Sequence, residues 1–394
     1  MIEDAEFAAI PQAVVQSDLL SIFQGAIKMT LESLLEEEVR KMVGAPRWAR
    51  MAHRKDVRNG TYLRQLITSM GHVELEVPRT RESGSPAGVL GRYQRRQDEI
   101  NEMITASYVS GVSTRKVGEV TEALLGRRVG RSTVSRVTKT LDQQVEALRK
   151  APILDAMPYL YLDATFLDAR WARKVENISV LVAYGVNVNG ERKLLAVTIG
   201  AQESEASWSD LLRQLVDRGL HGVELVIADA HLGLAAAVRH TLPEARQQRC
   251  VVHLTRNVFM KAPQRLRGRV AREVVLIFKA PSLVEARRRL EKFKQGIGTQ
   301  IPESLECLEG GFAAGTQFFA FPPSHWKKIR STNGVERLHG EIKRRTRAVG
   351  AFPDRASALR LITAVVLQYT ESWSDRRYLG DFAALKSETI QQAA

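Results

Sequence analysis

The chain runs to 394 residues, with 58 Lys and Arg against 44 Asp and Glu and a net charge of +14, which asks for several folding units and favours a polyanionic partner over a small ligand. Its two cysteines, Cys250 and Cys307, exclude a disulfide framework beyond one bridge and fit a reducing compartment. No apolar run approaches membrane-spanning length, and the acidic start Met1-Ile2-Glu3-Asp4-Ala5-Glu6 lacks a signal-peptide pattern, so a soluble, intracellular protein without membrane contact is expected.

Residues 12–43 read as a helix, with apolar positions that include Leu19, Phe23, Ile27, Leu31 and Leu35, and the run Glu36-Glu37-Glu38 reads as a solvated face. Residues 45–60 are basic and turn-rich, ending in the hairpin dipeptide Asn59-Gly60. Strands are expected at 62–69 and 73–77, the second closed by Pro78, and residues 82–88 as a hinge. Residues 98–149 read as three helices: 98–110, then 115–125 after the break and cap Gly111-Val112-Ser113-Thr114, then a third opening at Arg131 or Ser132 and passing through Val134, Val137 and Leu141. That spacing predicts a helix-turn-helix whose third helix offers Arg131, Thr133, Ser135, Arg136 and Lys139 to phosphates and base edges in a major groove.

The period then changes. Strand-like segments at 159–163, 178–187 and 192–200, with the turn Asn189-Gly190 between the last two, precede an amphipathic helix at 205–218. Strand 223–228, helix 232–241, strand 248–252 and helix 253–261 follow. A run of strands followed by strand–helix alternation describes an α/β architecture, an open mixed sheet covered by helices. Residues 262–325 lose the strand pattern: 265–279 and 282–296 look helical and basic, and Gly310-Gly311, Gly315 and Pro322-Pro323 are expected to break the chain before Trp326. Helices resume at 332–347 and 354–369.

Three acids stand out: Asp163 after Tyr159-Leu160-Tyr161-Leu162, Asp229 after Val226-Ile227-Ala228, and Glu336 in the helix-start signal Ser331-Thr332-Asn333-Gly334-Val335-Glu336. Two strand-end aspartates and a later helical glutamate can converge on one pocket, and three carboxylates in a basic protein suit divalent metals acting on phosphodiester bonds. Singly, each has a plainer reading as a turn residue or, for Asn333 with Glu336, a capping box. Asp155 and Asp168 flank Asp163, which is preferred because the alternation before it places it at the strand's end. Asp168, among Arg170, Arg173 and Lys174, reads as a surface ion pair. Glu341 rivals Glu336 but faces another side of the same helix.

These segments, in this order, resemble the Mutator-type transposases of bacterial insertion sequences, DDE transposases with a ribonuclease-H-like catalytic domain. The matching stretches are Arg58-Asn59-Gly60, Val77-Pro78-Arg79-Thr80-Arg81, Gly111-Val112-Ser113-Thr114-Arg115, Tyr161-Leu162-Asp163-Ala164, Ala228-Asp229-Ala230-His231-Leu232-Gly233-Leu234, Cys250-Val251-Val252-His253 with Arg256-Asn257, and Thr332-Asn333-Gly334-Val335-Glu336. The resemblance implies catalytic, metal-holding roles for Asp163, Asp229 and Glu336, and a mostly helical insertion between the second and third acids. It implies a chain organised as an N-terminal helical region with a short basic β-hairpin (1–91), a helix-turn-helix DNA-binding domain (92–150), a ribonuclease-H-like core in two parts (151–256 and 326–375), a basic helical insertion (257–325) and a tail (376–394). It further implies double-stranded DNA as partner, both terminal inverted repeats and target, and a homodimer or higher oligomer on that DNA. The helix at 12–43 is a candidate subunit contact or an intramolecular one.

Phosphodiester cleavage by such a site would use two Mg²⁺ or Mn²⁺ ions about 4 Å apart, with Asp163 bridging and Asp229 and Glu336 each completing one ion. Hydrolysis at an element end would free a 3′ hydroxyl, which would then attack a second phosphodiester. His253, Arg256, Arg337, Lys343, Arg344 and Arg345 are candidates to hold the DNA backbone. His231 could support Asp229 or simply be exposed. Trp326 reads either as a core residue at a domain seam or, as in related transposases, as an aromatic that stacks on an extruded base. Cys250 and His253 make only half a zinc site, and Cys250 reads as a buried strand residue. Two competing readings are a DNA-binding regulator without catalysis and a ribonuclease-H-like nuclease that cuts but does not join.

Overall fold

In the computed structural model, which describes residues 12–49, 51–91, 94–171, 174–200, 202–373, 375–380 and 382, the chain forms two units, Met1–Lys139 and Thr140–Ala394. The acidic start and most of the expected tail lie outside the described residues.

The first unit begins with α1 (Gln12–Val43), which lays Leu35 against Leu66, Val73, Leu75 and Val77 of an antiparallel hairpin, β1 (Arg58–Thr68) and β2 (Gly71–Thr80). The hairpin turn is not Asn59-Gly60, as expected from sequence, but Ser69-Met70, where the Thr68 hydroxyl accepts from Met70 N at 3.2 Å and donates to Gly71 O at 2.8 Å. Gly60, with φ 72°, instead marks an irregularity between Arg58 and Thr61. β2 also runs past Pro78, which lies opposite Thr61 beside that irregularity, where a residue without an N–H is tolerated. Residues 82–88, expected as a hinge, are pinned by carboxylates. Asp56 accepts from Val57 N (2.6 Å), Glu82 N (3.1 Å) and Ser83 N (2.8 Å), and Glu38 accepts from Ala87 N and Val89 N at 3.0 Å and Gly88 N at 2.6 Å.

Three short helices complete the unit: α2 (Asp98–Val109), α3 (Thr114–Leu125) and α4 (Arg131–Val137). Ser113 caps α3 by accepting from Lys116 N, and Gly126 ends it at φ 67°. Ile100, Ile104, Val117, Leu125, Val134 and Val137 meet in one core with Ile67. Arg131, Ser135, Arg136 and Lys139 remain exposed and Thr133 half-buried. The expected third helix is shorter than its pattern; a 3₁₀ turn, Thr138–Leu141, links α4 to α5 (Asp142–Lys150).

The second unit is built on five strands: β3 (Tyr159–Trp171), β4 (Lys174–Val186), β5 (Arg192–Gly200), β6 (Leu225–Ala228) and β7 (Arg246–Arg249). Their order in the sheet is β5-β4-β3-β6-β7, antiparallel among the first three and parallel from β3 to β6 to β7. Helices α6 (Glu205–Asp217) and α7 (Leu232–Thr241) make the crossovers, and Trp208, Leu211, Leu212 and Leu215 of α6 pack on Leu160, Leu162 and Leu181. β3 and β4 are longer than expected, so Asp163 sits within β3 rather than at its end. The extension is held by Phe352, whose N donates to Asp168 O (2.9 Å) and whose O accepts from Arg170 N (2.8 Å), over a fully buried Ala169.

Beyond β7 come α8 (Val251–Met260), α9 (Arg267–Phe278), α10 (Leu283–Gln295), α11 (Pro302–Gly315), α12 (Pro323–Ile329), α13 (Asn333–Thr346) and α14 (Arg355–Thr370). Gly310-Gly311 and Gly315 do not break the chain but lie in α11. A Cβ on Gly311 would lie 2.5 Å from Leu254 Cδ1, so glycine there lets α11 close on α8. Cys250 is not a strand residue; it is the fully buried N-cap position of α8. Among the described residues no helix is long and apolar enough to cross a membrane.

A carboxylate cavity at the candidate active site

β6 pairs with β3 over Tyr159–Tyr161 and stops at Ala228, so Asp229 leaves the sheet just where Asp163, two residues past the last parallel pair, continues on β3. Both carboxylates therefore stand at the C-terminal edge of the parallel strands, where α/β sheets characteristically open a crevice. Glu336 arrives from the first turn of α13. The three line one cavity of about 520 Å³, together with Glu203, His231, His253, His339 and Lys343.

Local bonding explains how distant segments meet there. Cys250 N donates to Ala228 O at 2.7 Å, Cys250 Sγ accepts from Thr332 N at 3.4 Å, and Val251 N donates to Arg330 O at 2.9 Å. The residue beside Asp229 and the residues leading to Glu336 are thus tied through one cysteine. α13 then buries Val335, Leu338 and Ile342. Its Gly334 approaches the sheet so closely that a Cβ would lie 2.6 Å from the Tyr184 hydroxyl. Thr332 offers no side-chain cap to α13, and Asn333 is already helical, so the capping-box reading of Asn333 and Glu336 does not describe this helix.

The electrostatics follow from burial. Asp163 has an 11% exposed side chain; burial raises its pKa to about 7, with the nearby charges of Asp229 and Glu336 adding to the rise and His253 and the Ala164 N–H opposing it. His253 reaches both other acids, Nε2 lying 3.1 Å from Glu336 Oε1 and Nδ1 3.8 Å from Asp229 Oδ2. The Cys250 thiol beside it and the surrounding carboxylates raise its pKa to about 9 against the cost of burial, making it an imidazolium at neutral pH. Among the described residues its Nδ1 closes no hydrogen bond of good geometry, and the nearby carboxylates of Asp229 and Glu336 hold the proton on the ring. His339 is the opposite case: burial, then the positive charges of Lys343 and His253, lower its pKa to about 4, and a neutral ring sits with Nδ1 3.6 Å from Asp163 Oδ2.

The other sequence candidates separate. Arg256 borders the site, its Nη2 3.9 Å from Glu336 Oε1, and Lys343 lines the cavity. Arg337 is exposed on α13 outside the lining, and Arg344 is engaged by Glu341 at 2.8 Å. Glu341 is held below the usual carboxylate range by Arg344 and Arg345 and does not line the cavity. Asp168 accepts from Asn177 Nδ2 at 3.1 Å, while Arg173, one of the cations of its expected surface ion pair, lies outside the described residues, and Asp155 is bound by Lys193 and Asn187. Trp326 lies apart from the acids. Its Nε1 donates to Phe321 O at 2.6 Å, its ring meets Phe319 edge-on at 4.8 Å, and it lines a separate cavity of about 420 Å³. His231 caps α7, its Nδ1 accepting from Leu234 N at 3.3 Å.

Sequence reasoning missed Glu203 and His339. Glu203 precedes the Ser204 cap of α6, and the buried Trp208 indole donates to its Oε1 at 3.3 Å. His339 follows Glu336 by one helical turn and so shares its face, a spacing legible in the sequence. Among the described residues no three His, Cys, Asp or Glu side chains are gathered tightly enough to hold a metal ion. The donor set nevertheless fits a hard cation in kind, being four carboxylates around one cavity, Glu203 with Asp163, Asp229 and Glu336, and an imidazolium already drawn between the last two.

A profile described as "Transposase, Mutator family" matches residues 3–376. The chain is 35% identical to the transposase for insertion sequence element ISRM5 of Rhizobium meliloti, over 97% of this chain and 98% of that protein. It is 33% identical to the transposase for IS256 in transposon Tn4001 of Staphylococcus aureus (96% and 97% covered), and 35% identical to that for IS1081 of Mycobacterium tuberculosis (96% and 92%). The chain belongs to the Mutator family of transposases. A solved intasome of simian T-cell lymphotropic virus, in complex with PP2A regulatory subunit B56 gamma, covers 43% of this chain and 70% of its own at 14% identity, but its TM-score of 0.16 carries no argument.

Proposed function

We propose that the protein is the DDE transposase of an insertion sequence, a metal-dependent enzyme that binds double-stranded DNA at the terminal inverted repeats, cuts there, and joins the freed 3′ hydroxyl to target DNA. The observation that carries this reading is the convergence of Asp163, Asp229 and Glu336 on one cavity in a chain of this family. The strand order, three antiparallel strands followed by two parallel ones on the far side of the first, supports a ribonuclease-H-like core over 151–256 and 326–375, with 257–325 as its helical insertion.

Asp163, Asp229 and Glu336 would hold Mg²⁺ or Mn²⁺, two ions in this reading, with the His253 imidazolium yielding its place among them. Bound there, the cations supply an activated water or 3′ hydroxyl and take up charge on the leaving oxygen. His253 and Lys343, at the cavity wall, and Arg256, Arg337 and Arg344, around it, orient phosphate oxygens. Neutral His339 keeps a polar but uncharged wall behind Asp163. α2 to α4 are read as a helix-turn-helix that presents Arg131, Thr133, Ser135, Arg136 and Lys139 to the major groove. Two DNA ends must be joined in one event, so the working form is a homodimer or higher oligomer on DNA, in the cytoplasm with the nucleoid.

The test is a strand-transfer assay with Mg²⁺ and duplexes cut from the DNA flanking the gene. Cutting and joining are expected. Binding without cutting would make the protein a regulator, and cutting without joining a nuclease; either outcome overturns the proposal.

A further inference from the structure

In the first unit the hairpin and the helices that follow it enclose a cavity of about 670 Å³. Arg64, Arg79, Arg95, Arg96, Arg127 and Arg128 line it, and among the described residues no Asp or Glu does. Neutral groups hold several of these guanidinium groups in place. Arg64 donates through Nε to Gln94 O at 2.9 Å and through Nη2 to Gly91 O at 2.8 Å. Arg96 Nε donates to Asn101 Oδ1 at 3.0 Å, Arg127 Nη1 donates to Gln65 Oε1, and Arg79 lies over the Tyr62 ring at 5.3 Å. Carbonyls, amides and an aromatic face fix an arginine without cancelling its charge. Arg128 does reach Glu119 and Glu122, but at 3.8 Å and with all three side chains at least half exposed, a geometry worth little.

Six like charges around one concave surface repel, and an anion entering among them relieves that repulsion. The crowding is felt within the fold: burial, then the positive charges of Arg136 and Arg95, hold Arg96 below its usual pKa. Gly130 and Thr133, at the start of α4, complete the lining. An anion held here therefore lies beside the exposed Arg131 and Arg136. A single small anion would leave most of these arginines unmatched. A run of phosphodiesters offers successive charges, each suited to a forked guanidinium.

We propose that this arginine-lined cavity is a clamp for the phosphodiester backbone of DNA, gripping the strand beside the site read by α4. It rests on the reading of the protein as DNA-binding and adds that the β-hairpin, not the helices alone, carries a share of the affinity that is independent of sequence. The exposed pair Arg79 and Arg95 tests it. The full-length R79Q/R95Q variant and the unaltered protein are titrated with a duplex from the DNA flanking the gene and with an unrelated duplex, across a range of salt concentrations. Loss of the clamp is expected to weaken binding to both duplexes by a common factor. It should also lessen the slope of log K against log salt by about 0.9 for each phosphate no longer neutralised, hence about 2 for the pair, while the preference between duplexes stays unchanged. An unchanged affinity and slope would overturn the clamp and leave the wider DNA reading standing. A changed preference would assign the pair to base readout and overturn it too. Failure of the unaltered protein to bind either duplex would overturn both. If the double variant has a lowered unfolding midpoint, R79Q alone carries the test, with an expected slope change of about 0.9.

Discussion

Asp163 is a carboxylate in a place where exclusion of water disfavours its charge. Burial costs the folded chain, and His253 and the Ala164 N–H offset part of it. Replacing it by Asn keeps the shape and removes the buried charge. Asp163→Asn is therefore expected to bind DNA as the unaltered protein does, to unfold at an equal or higher temperature, and to lose cleavage by on the order of 10³-fold, as removal of several kcal/mol of transition-state stabilisation requires. Binding, cleavage and thermal unfolding of one variant check all three, and undiminished cleavage removes Asp163 from the site. Cys250 acts differently, through Thr332. Cys250→Ala leaves a buried Thr332 N–H without its sulfur acceptor, at a cost of about 1–3 kcal/mol. It should also loosen the approach of Glu336, so cleavage falls by more than the folded fraction does; cleavage that merely tracks that fraction would limit Cys250 to stability. At this scale the three acids were legible because each ends or begins a recognisable pattern. Glu203 was not, because its position depends on the close approach of α7 to the turn before α6, where a Cβ on Gly233 would lie 2.6 Å from Glu205 N.

The elements show where local signals compete with tertiary ones. Asn59-Gly60 reads as a turn, yet the strand continues through it, because burial of Leu66, Leu75 and Val77 under α1 fixes a register that puts the turn at Ser69-Met70. The glycines of α11 read as breaks, yet two of them, Gly311 and Gly315, are what allows that helix to lie against Leu254. β3 looks as though it ends at Asp163 because the alternation of residues stops there; its extension depends on Phe352, far along the chain, which no local pattern announces. The helices α6, α7 and α14 carried their own caps and apolar faces and were legible almost to the residue. Gly334 gives the corresponding prediction. In Gly334→Ala the new methyl meets the Tyr184 hydroxyl, and the start of α13 must shift. Overpacking of this kind costs about 1–3 kcal/mol, and with Glu336 two residues on, cleavage is expected to fall well before the fold is lost. Cleavage assayed at a temperature where the variant is fully folded decides it, and full activity there would mean that α13 is indifferent to its seat.

The molecule as a whole folds as two units, and the first is expected to be sensitive to acid. Burial alone would raise the pKa of Asp56, but the N–H groups of Ser83, Val57 and Glu82 hold it well below the ordinary carboxylate value of 3.8. The unfolded chain therefore takes up this proton first, so the stabilisation is present above pH 3.8 and is lost as pH falls below it. Acid titration followed by a probe in the first unit should show early loss of stability there, and Asp56→Ala should lower stability at neutral pH and flatten that acid limb. An unaltered limb would assign the acid sensitivity elsewhere. The order of parts along the chain has one more consequence. The arginine-rich unit comes first, and the last of the three acids waits beyond α8 to α12, on α13. A product broken off before that point keeps every cation of the first unit and can never complete the trio, so under the proposed function it would occupy the ends of its own element without cutting them and stand in the way of intact copies.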